Sequence, residues 1–252
     1  MAGQVFLITG SSGMARATAI LAGQAGNIVF IVGMNESQCN ELAVELPKSA
    51  YLVGDLRDEV TAEQAVSSCL QRFGKVDAVF NAAGMSGRKF GDGPIHECSL
   101  AGWQETMDAN TRPAFLVSRA AVRYWLSAQR GGVILNMGSV LACHPEPRHF
   151  ATHAYAASKG AIISMSRAMA SYYAPYGIRV NVIAPGLVKT PMTTRAQSDS
   201  QIQKFIAHKQ PLARGMLDAT DVAQVALFLL TDQSKHLTGQ VVKIDGGWAI
   251  SS

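Results

Sequence analysis

A tyrosine and a lysine four residues apart, Tyr155 and Lys159, are the pair in this sequence best suited to proton chemistry. On a helix this interval places the phenol and the ammonium on one face, one turn apart. A positive charge beside a phenol stabilises the phenolate and lowers a pKa that is about 10 when unperturbed. General acid–base catalysis works best when the pKa lies near the working pH. Such a pair is more often a packed ring and a snorkelling amine, so the interpretation needs partners elsewhere in the chain.

The N-terminal region predicts where a nucleotide would bind. An apolar run, Val5–Ile8, leads into the glycine turn Thr9-Gly10-Ser11-Ser12-Gly13, and a helical pattern occupies 14–25. A buried strand, a glycine turn and a helix in this order are typical of the start of a dinucleotide-binding unit. The glycines let the backbone approach a pyrophosphate, and the helix N-terminus offers free N–H groups. Any strand–turn–helix unit would share this pattern, so the interpretation depends on the sequence downstream.

The rest of the chain continues the alternation of strands and helices. Predicted strands cover 27–32, 50–53, 76–80, 132–136, 178–183 and 240–244, and predicted helices cover 36–46, 61–73, 103–127, 153–173 and 218–230. Pro113 is expected to kink or break the third of these helices. Strands separated by helices require right-handed crossovers and a parallel sheet covered on both faces. The sequence therefore predicts an α/β fold, a single doubly wound Rossmann-type domain over residues 1–252 with about seven parallel strands.

The composition excludes several classes of protein. The 252 residues carry a net charge of +4, and the lysines and arginines form no run, so nucleic-acid binding is not expected. The four cysteines, at positions 39, 69, 98 and 143, have no paired spacing, which indicates reduced thiols without a disulfide framework or a metal site. Neither a signal pattern nor an apolar run long enough for a bilayer is present. We expect a cytoplasmic protein with no membrane partner.

The residues of interest fall at one edge of the predicted sheet. In doubly wound sheets, ligands bind outside the carboxyl ends of the strands. Those ends carry Gly10, Gly13, Asp55, Asn81 to Gly84, Ser139 and Pro185-Gly186. Tyr155 begins the helix that comes after Ser139. The residues suited to proton chemistry are therefore expected at the same edge of the sheet as the predicted ligand site.

Together these motifs resemble the short-chain dehydrogenases/reductases. Along essentially the whole chain, the matching residues occur in the order found in that family: Thr9-Gly10…Gly13, Asp55, Asn81-Ala82-Ala83-Gly84, Asn110, Ser139, Tyr155-x-x-x-Lys159, Asn181-x-x-x-Pro185-Gly186 and Leu237-Thr238-Gly239-Gln240…Asp245-Gly246-Gly247. One such motif is weak evidence, whereas the ordered set is strong.

The resemblance implies four catalytic residues. Tyr155 would pass a proton to or from the carbonyl or alcohol oxygen, and Lys159 would bind the nicotinamide ribose and lower the pKa of Tyr155. Ser139 would hold the substrate oxygen, and Asn110 would position a water in a proton relay behind Lys159. Taken singly, Ser139 could instead cap a turn and Asn110 could be a helix-kink residue beside Pro113.

The resemblance also implies a cofactor site without a metal. Asp55 would meet the adenine, although an ordinary turn former is the simpler interpretation of that residue alone. The residues expected to bind the cofactor are Thr9, Gly10, Ser12, Gly13, Met14, Met34, Asp55, Leu56, Asn81, Ala82, Ala83, Gly84, Tyr155, Lys159, Pro185, Gly186 and Val188.

The chain departs from the family pattern in two loops. The glycine turn is one residue shorter than usual, with Ala15 where a third glycine is common, and Arg16 either faces the pyrophosphate or is solvated. The interval from Ser139 to Tyr155 is about three residues longer than usual. The additional residues, 144–149, are expected at the mouth of the substrate pocket, with their histidines solvated rather than bound to a metal.

The end of the second strand bears on cofactor choice. Enzymes that prefer NAD usually present a carboxylate there, and enzymes that prefer NADP present a basic residue. Gly33 and Met34 supply neither. The missing carboxylate removes the repulsion of a 2′-phosphate, so we expect NADP(H) or NAD(H) with a modest lean to NADP(H). Arg16, Arg57 or solvent would meet the phosphate, and Gly33→Asp would shift the preference toward NAD(H).

The function predicted from these features is NAD(P)-dependent interconversion of a secondary alcohol and a ketone. The small-molecule substrate stays open between 3-oxoacyl thioesters, sugars or polyols, and cyclic alcohols. A catalytically silent nucleotide-binding scaffold is the alternative, and a sugar-nucleotide epimerase usually has a longer C-terminal region. Residues 187–215 carry no sustained strand pattern and are expected to form a substrate lid, whose basic residues either favour an anionic ligand or are solvated. The resemblance also suggests a homotetramer that pairs the helices 107–124 and 155–173.

Overall fold

A single parallel sheet forms the centre of the protein, in a computed structural model that describes residues 3–251. Within these residues the strands are β1 (Val5–Thr9), β2 (Ile28–Gly33), β3 (Ser49–Val53), β4 (Ala78–Asn81), β5 (Gly132–Met137), β6 (Ile178–Pro185) and β7 (Val241–Ile244). Their order across the sheet is β3-β2-β1-β4-β5-β6-β7, and every neighbouring pair is parallel. The predicted fold class is confirmed.

Eight α-helices accompany the sheet in the part of the chain described. They are α1 (Gly13–Gln24), α2 (Glu36–Glu45), α3 (Glu59–Phe73), α4 (Leu100–Ser127), α5 (His153–Tyr173), α6 (Thr194–Ser198), α7 (Ser200–Lys209) and α8 (Ala219–Leu230). Short 3₁₀ turns cover Gly87–Phe90, Val140–Ala142, Ala174–Tyr176, Pro191–Thr193 and Asp232–Ser234. None of the helices in residues 3–251 combines the length and the apolar character of a membrane-spanning segment.

Both faces of the sheet are covered, as the long apolar runs of the strands require. Along β1, Phe6 and Ile8 pack into one core with residues of α1, α2 and α8. Val5 and Leu7 point to the opposite face and pack with residues of α3, α4 and α5. The chain reverses direction across the sheet between β1 and β4, so the carboxyl ends of these central strands open onto a crevice.

Two segments carry more helix than the sequence patterns predict. The helix α4 runs unbroken through Pro113, so of the two effects expected of this proline the break is wrong and the kink stays a prediction. Pro113 cannot donate a bond to the carbonyl of Ala109, and both residues line a large cleft at the carboxyl ends of the strands. The segment 187–215 contains α6 and α7, which pack on a small third core that includes Ile202, Ile206 and Trp248.

Candidate active site

The predicted pairing of Tyr155 and Lys159 is found in the first turns of α5. This helix begins where Asp92 accepts hydrogen bonds from the backbone N–H groups of Ala154 (2.9 Å) and Tyr155 (3.0 Å). A carboxylate at this position satisfies free N–H groups and favours the positive end of the helix dipole. Asp92 thereby fixes the start of the helix that carries the tyrosine. Sequence reasoning missed this role, because the two partners are more than sixty residues apart.

Lys159 is a buried cation. Its side chain is 2% exposed, and its Nζ donates to the carbonyl oxygen of Met137 at the end of β5, at 2.9 Å. Nζ also lies 5.7 Å from the centre of the Tyr155 ring. Burial lowers the pKa of Lys159 from 10.5 to about 8, because desolvation disfavours the ammonium. Lys159 therefore stays charged at neutral pH, and its burial destabilises the fold.

The pKa of Tyr155 contradicts the sequence-based expectation. It is raised above its ordinary value of 10.0, because desolvation in the cleft disfavours the phenolate more than the neighbouring Ser139 hydroxyl favours it. The expected lowering of this pKa by Lys159 does not outweigh the burial of the ring. Tyr155 is thus a neutral phenol at physiological pH, with its proton available to an acceptor.

Ser139 comes after β5 and lies at the wall of the cleft opposite α5. Its hydroxyl oxygen accepts a hydrogen bond from the backbone N–H of Leu141 at 3.2 Å, which caps the 3₁₀ turn Val140–Ala142. The hydroxyl also faces Tyr155 closely enough to affect the pKa of the phenol. Turn capping and participation in the site are therefore compatible for this residue.

Asn110 lies behind the cleft and does not line it. Its amide nitrogen donates to the carbonyl of Met85 (3.1 Å) and to the hydroxyl of Ser158 (3.1 Å), and its oxygen accepts from the N–H of Met85 (2.8 Å). Both donors of the side chain are occupied, and the relay water expected at Asn110 stays a prediction. A Cβ added at Gly84 would lie 2.6 Å from this oxygen, which accounts for a glycine there. Asn110 therefore connects the loop after β4 to α5 through hydrogen bonds to Met85 and Ser158.

Most of the predicted cofactor residues surround one cleft of about 600 Å³. Thr9 and Asn81 are the exceptions. The Thr9 hydroxyl accepts from the N–H groups of Ala82 and Ala83, both at 3.0 Å, and Asn81 donates to Ser118 and Asn136. Through these hydrogen bonds the two residues hold the turn after β4 in place without lining the cleft themselves. The remaining predicted residues line the cleft: Gly10, Ser12, Gly13, Met14, Met34, Asp55, Leu56, Ala82, Ala83, Gly84, Tyr155, Lys159, Pro185, Gly186 and Val188.

The shortened glycine turn forms a sharp entry into α1. Gly10 and Gly13 adopt φ angles of 100° and 54°, a left-handed region that favours glycine. Ser12 makes no side-chain cap, so the first N–H groups of α1 are free toward the cleft. A Cβ added at Gly13 would lie 3.1 Å from Thr190, so the short turn packs directly against the segment 187–215. Ala15 is buried in the core, which accommodates its methyl group.

The two arginines proposed to meet a 2′-phosphate are already paired. Arg16 forms an ion pair with Glu45 and does not line the cleft, so it is a surface residue and does not face the pyrophosphate. Arg57 lines the cleft, but its guanidinium binds Asp55 at 2.7 Å and Glu105 at 2.7 Å. Arg57 lowers the pKa of Asp55 by hydrogen bonding.

The space beside Gly33 is filled. A Cβ added at Gly33 would lie 2.7 Å from the Sγ of Cys39 and 3.1 Å from the Oγ of Ser11. The Ser11 hydroxyl in turn donates to Gln38 at 3.1 Å. Position 33 is therefore closed to a side chain, because α2 packs its buried Cys39 against the end of β2. An aspartate can replace Gly33 only if Cys39 or Ser11 moves.

The additional residues 144–149 do not themselves line the cleft but lie directly beside side chains that do. The buried Glu146 carboxylate organises them by accepting from the N–H groups of Arg148 (2.9 Å), His149 (2.7 Å) and Phe150 (3.1 Å). The ring of His149 packs on Phe205, with 5.0 Å between centroids, rather than being solvated. What the loop presents to the cleft is the next residue, Phe150. In residues 3–251 no three His, Cys, Asp or Glu side chains come together as a metal site would require.

Comparison with known proteins places this geometry in a family. Residues 8–249 match the family described as enoyl-(acyl carrier protein) reductase. The chain is 34% identical to the 3-oxoacyl-acyl-carrier-protein reductase FabG of Thermotoga maritima, over 98% of each chain. It is 30% identical to the 2,5-dichloro-2,5-cyclohexadiene-1,4-diol dehydrogenase LinX of Sphingobium indicum, over 99% of this chain and 98% of the relative.

A solved structure agrees with these relatives. The fold superposes on a short-chain type dehydrogenase/reductase from Mycobacterium ulcerans with a TM-score of 0.91 at 28% identity, covering 100% of this chain and 92% of the other. The match extends across the sheet, the cleft and the helix that carries Tyr155. The chain belongs to the short-chain dehydrogenase/reductase family of oxidoreductases.

Proposed function

We propose that this protein transfers a hydride between a nicotinamide cofactor and a secondary alcohol or ketone, with Tyr155 as the general acid and base. The observation that carries the proposal is the shared cleft. Ser139, Tyr155 and Lys159 line the same cleft as the glycine turn and the uncapped N-terminus of α1. A proton-transfer group and an anion-binding helix end in one crevice are what a dinucleotide-dependent oxidoreductase needs.

The cleft suits a dinucleotide. The free N–H groups at the start of α1 are suited to a pyrophosphate, and the positive φ angles of Gly10 and Gly13 bring the backbone close to it. Lys159 lines the same cleft beside Tyr155, where the nicotinamide ribose would bind. When bound, the cofactor supplies the hydride donor or acceptor, and the protein supplies orientation.

Proton transfer is assigned to the phenol. In ketone reduction, the Tyr155 hydroxyl would donate its proton to the substrate oxygen as negative charge develops there. Ser139 would donate a hydrogen bond to the same oxygen and so hold it against the phenol. The raised pKa of Tyr155 keeps the acid protonated before reaction. The buried Lys159 ammonium, within 5.7 Å of the ring, would then stabilise the phenolate that remains.

For the cofactor, we propose that NADP(H) is modestly preferred over NAD(H). The end of β2 offers no carboxylate to bind a ribose 2′-hydroxyl or to repel a 2′-phosphate. Arg57 is the cation that lines this end of the cleft, and it would have to share its guanidinium with Asp55 and Glu105. Because this cation is shared and partly exposed, it gives only a small preference for NADP(H) over NAD(H).

We propose a cytoplasmic homotetramer in which α4 and α5 pair with their copies across a two-fold axis. Phe115 of α4 is 46% exposed, and a groove beside it is lined by residues of α3, α4 and α5 that include Leu116 and Met165. Association would remove this apolar surface from water.

Substitution of Tyr155 by phenylalanine tests the reaction. Tyr155→Phe keeps the ring and removes the proton, so kcat on a ketone should fall by roughly 10²–10⁴-fold while cofactor binding is retained. Tyr172→Phe, at a ring that is 66% exposed, is the matched control and should leave kcat unchanged. A loss of less than about threefold in Tyr155→Phe contradicts the assignment. A wild-type protein that binds cofactor but turns over no member of an alcohol and ketone panel favours the silent scaffold instead.

A further inference from the structure

Two exposed arginines that line the cleft converge on one neutral oxygen. The Nη2 of Arg88 and the Nη2 of Arg195 donate to the backbone carbonyl of His149, at 2.8 and 2.9 Å. The three residues come from separate segments: the 3₁₀ turn Gly87–Phe90, the helix α6 and the loop before α5. Both arginines line the cleft. Two positive charges so close repel each other, and one carbonyl does not neutralise them.

The nearby carboxylates are engaged elsewhere. Asp92 and Glu146 both interact with the charge of Arg88. However, Asp92 accepts from the start of α5, and Glu146 accepts from three N–H groups of its own loop. Neither arginine forms an ion pair with any residue in the range 3–251. The remaining guanidinium N–H groups are therefore available to an anion.

The arginine pair belongs to the end of the cleft that holds Tyr155. The link is Asp92, which interacts with Arg88 and hydrogen-bonds the N–H of Tyr155. The guanidinium of Arg195 lies 5.9 Å from the centre of the Phe150 ring, and that ring packs edge-on against Trp248 at 5.9 Å. Both aromatic side chains line the cleft. The pair therefore sits beside an apolar wall that Phe150 and Trp248 form.

We infer that the substrate carries an anionic group, a carboxylate or a phosphate, which binds between Arg88 and Arg195 while its carbonyl or alcohol carbon lies at Tyr155. The inference rests on the proposed function and specifies its substrate class. Guanidinium groups bind both anions through paired, charge-assisted hydrogen bonds. Because Arg195 belongs to α6, the anion would also tie the segment 187–215 to the body of the protein, so the lid would close best over charged substrates.

Matched anionic and neutral ketones test the inference. One pair is 3-oxobutanoate and its methyl ester, which tests a carboxylate. The other is hydroxyacetone phosphate and hydroxyacetone, which tests a phosphate. The wild type should show a kcat/KM at least about tenfold higher for the anion of one pair. In Arg88→Gln and Arg195→Gln, the anionic-to-neutral ratio of kcat/KM should fall by about 10–100-fold, mainly through KM. Arg148→Gln, in the same loop but outside the cleft, should leave the ratio unchanged.

A binding measurement keeps the inference independent of turnover. Isothermal titration of malonate and of inorganic phosphate into the wild type should detect binding of at least one of them, and the double variant R88Q/R195Q should lose it. The inference is overturned if neither anion binds, or if the double variant binds them as well as the wild type does. Equal use of anionic and neutral ketones also overturns it, and leaves the proposed reaction standing. Absence of turnover on every ketone refutes the proposed function. In that case the titrations of the wild type and of R88Q/R195Q still test whether the two arginines bind an anion.

Discussion

Replacement of Lys159 by methionine should stabilise the fold at neutral pH while removing activity. The buried ammonium is destabilising, because its pKa falls from 10.5 in the unfolded chain to about 8 in the folded protein. Each pKa unit is worth about 1.4 kcal/mol, so keeping Lys159 charged at pH 7 costs roughly 3 kcal/mol. Methionine fills a similar volume without the charge. It also leaves the Met137 carbonyl without its 2.9 Å partner, which offsets about 1–3 kcal/mol of the gain.

The pH dependence isolates the lysine from other effects of the substitution. Below about pH 8 the side chain is protonated in both states, so the whole penalty is present. Between about 8 and 10.5 the unfolded chain binds the proton and the folded protein does not, so the stability of the wild type rises with pH. The advantage of Lys159→Met should therefore shrink by roughly 2–3 kcal/mol between about pH 7 and pH 10. The lost hydrogen bond contributes equally at every pH and cancels from this difference.

Urea unfolding of both proteins at a series of pH values, and at one fixed protein concentration, measures the effect. Lys204→Met is the control, because Lys204 is an exposed lysine on α7 and its loss should give no such trend. A difference in unfolding free energy between wild type and Lys159→Met that stays constant from about pH 7 to 10 would refute the reasoning. It would mean that Lys159 keeps in the folded protein the pKa it has in the unfolded chain, as a fully solvated amine would.

The packing at Gly33, the segment 187–215 and the helices α4 and α5 each give a further expected outcome. Gly33→Asp alone should destabilise the protein by about 1–3 kcal/mol, because its Cβ meets Cys39 at 2.7 Å. Gly33→Asp with Cys39→Ala should regain stability and shift kcat/KM toward NAD(H), whereas an unchanged cofactor ratio in the double variant would show that another group binds the ribose. Residues 187–215 should gain hydrogen-exchange protection when cofactor and substrate bind, since Thr190 and Arg195 line the cleft; equal protection with and without ligands argues against a lid. Light scattering at micromolar concentration should give the mass of a tetramer, and a monomer would contradict the pairing of α4 and α5.

The sequence by itself determined the fold class and most of the cleft. Alternating apolar strands and helices admit only a covered parallel sheet, and the carboxyl ends of parallel strands meet at one edge. For that reason Gly10, Ser139 and Tyr155 could be assigned to one site before any contact was known. The spacing of Tyr155 and Lys159 is local to one helix, so it too was readable from the chain.

Tertiary structure alone decided the electrostatics and the fine packing, because both depend on partners distant in sequence. The buried environment of Tyr155 raises a pKa that the neighbouring lysine is expected to lower. The space beside Gly33 is closed by Cys39 of the next helix, and Arg57 pairs with Glu105, forty-eight positions away, as well as with Asp55. The convergence of Arg88 and Arg195 on the carbonyl of His149 joins three segments that no local pattern connects. Burial, ion pairing and steric closure arise only when the chain is folded.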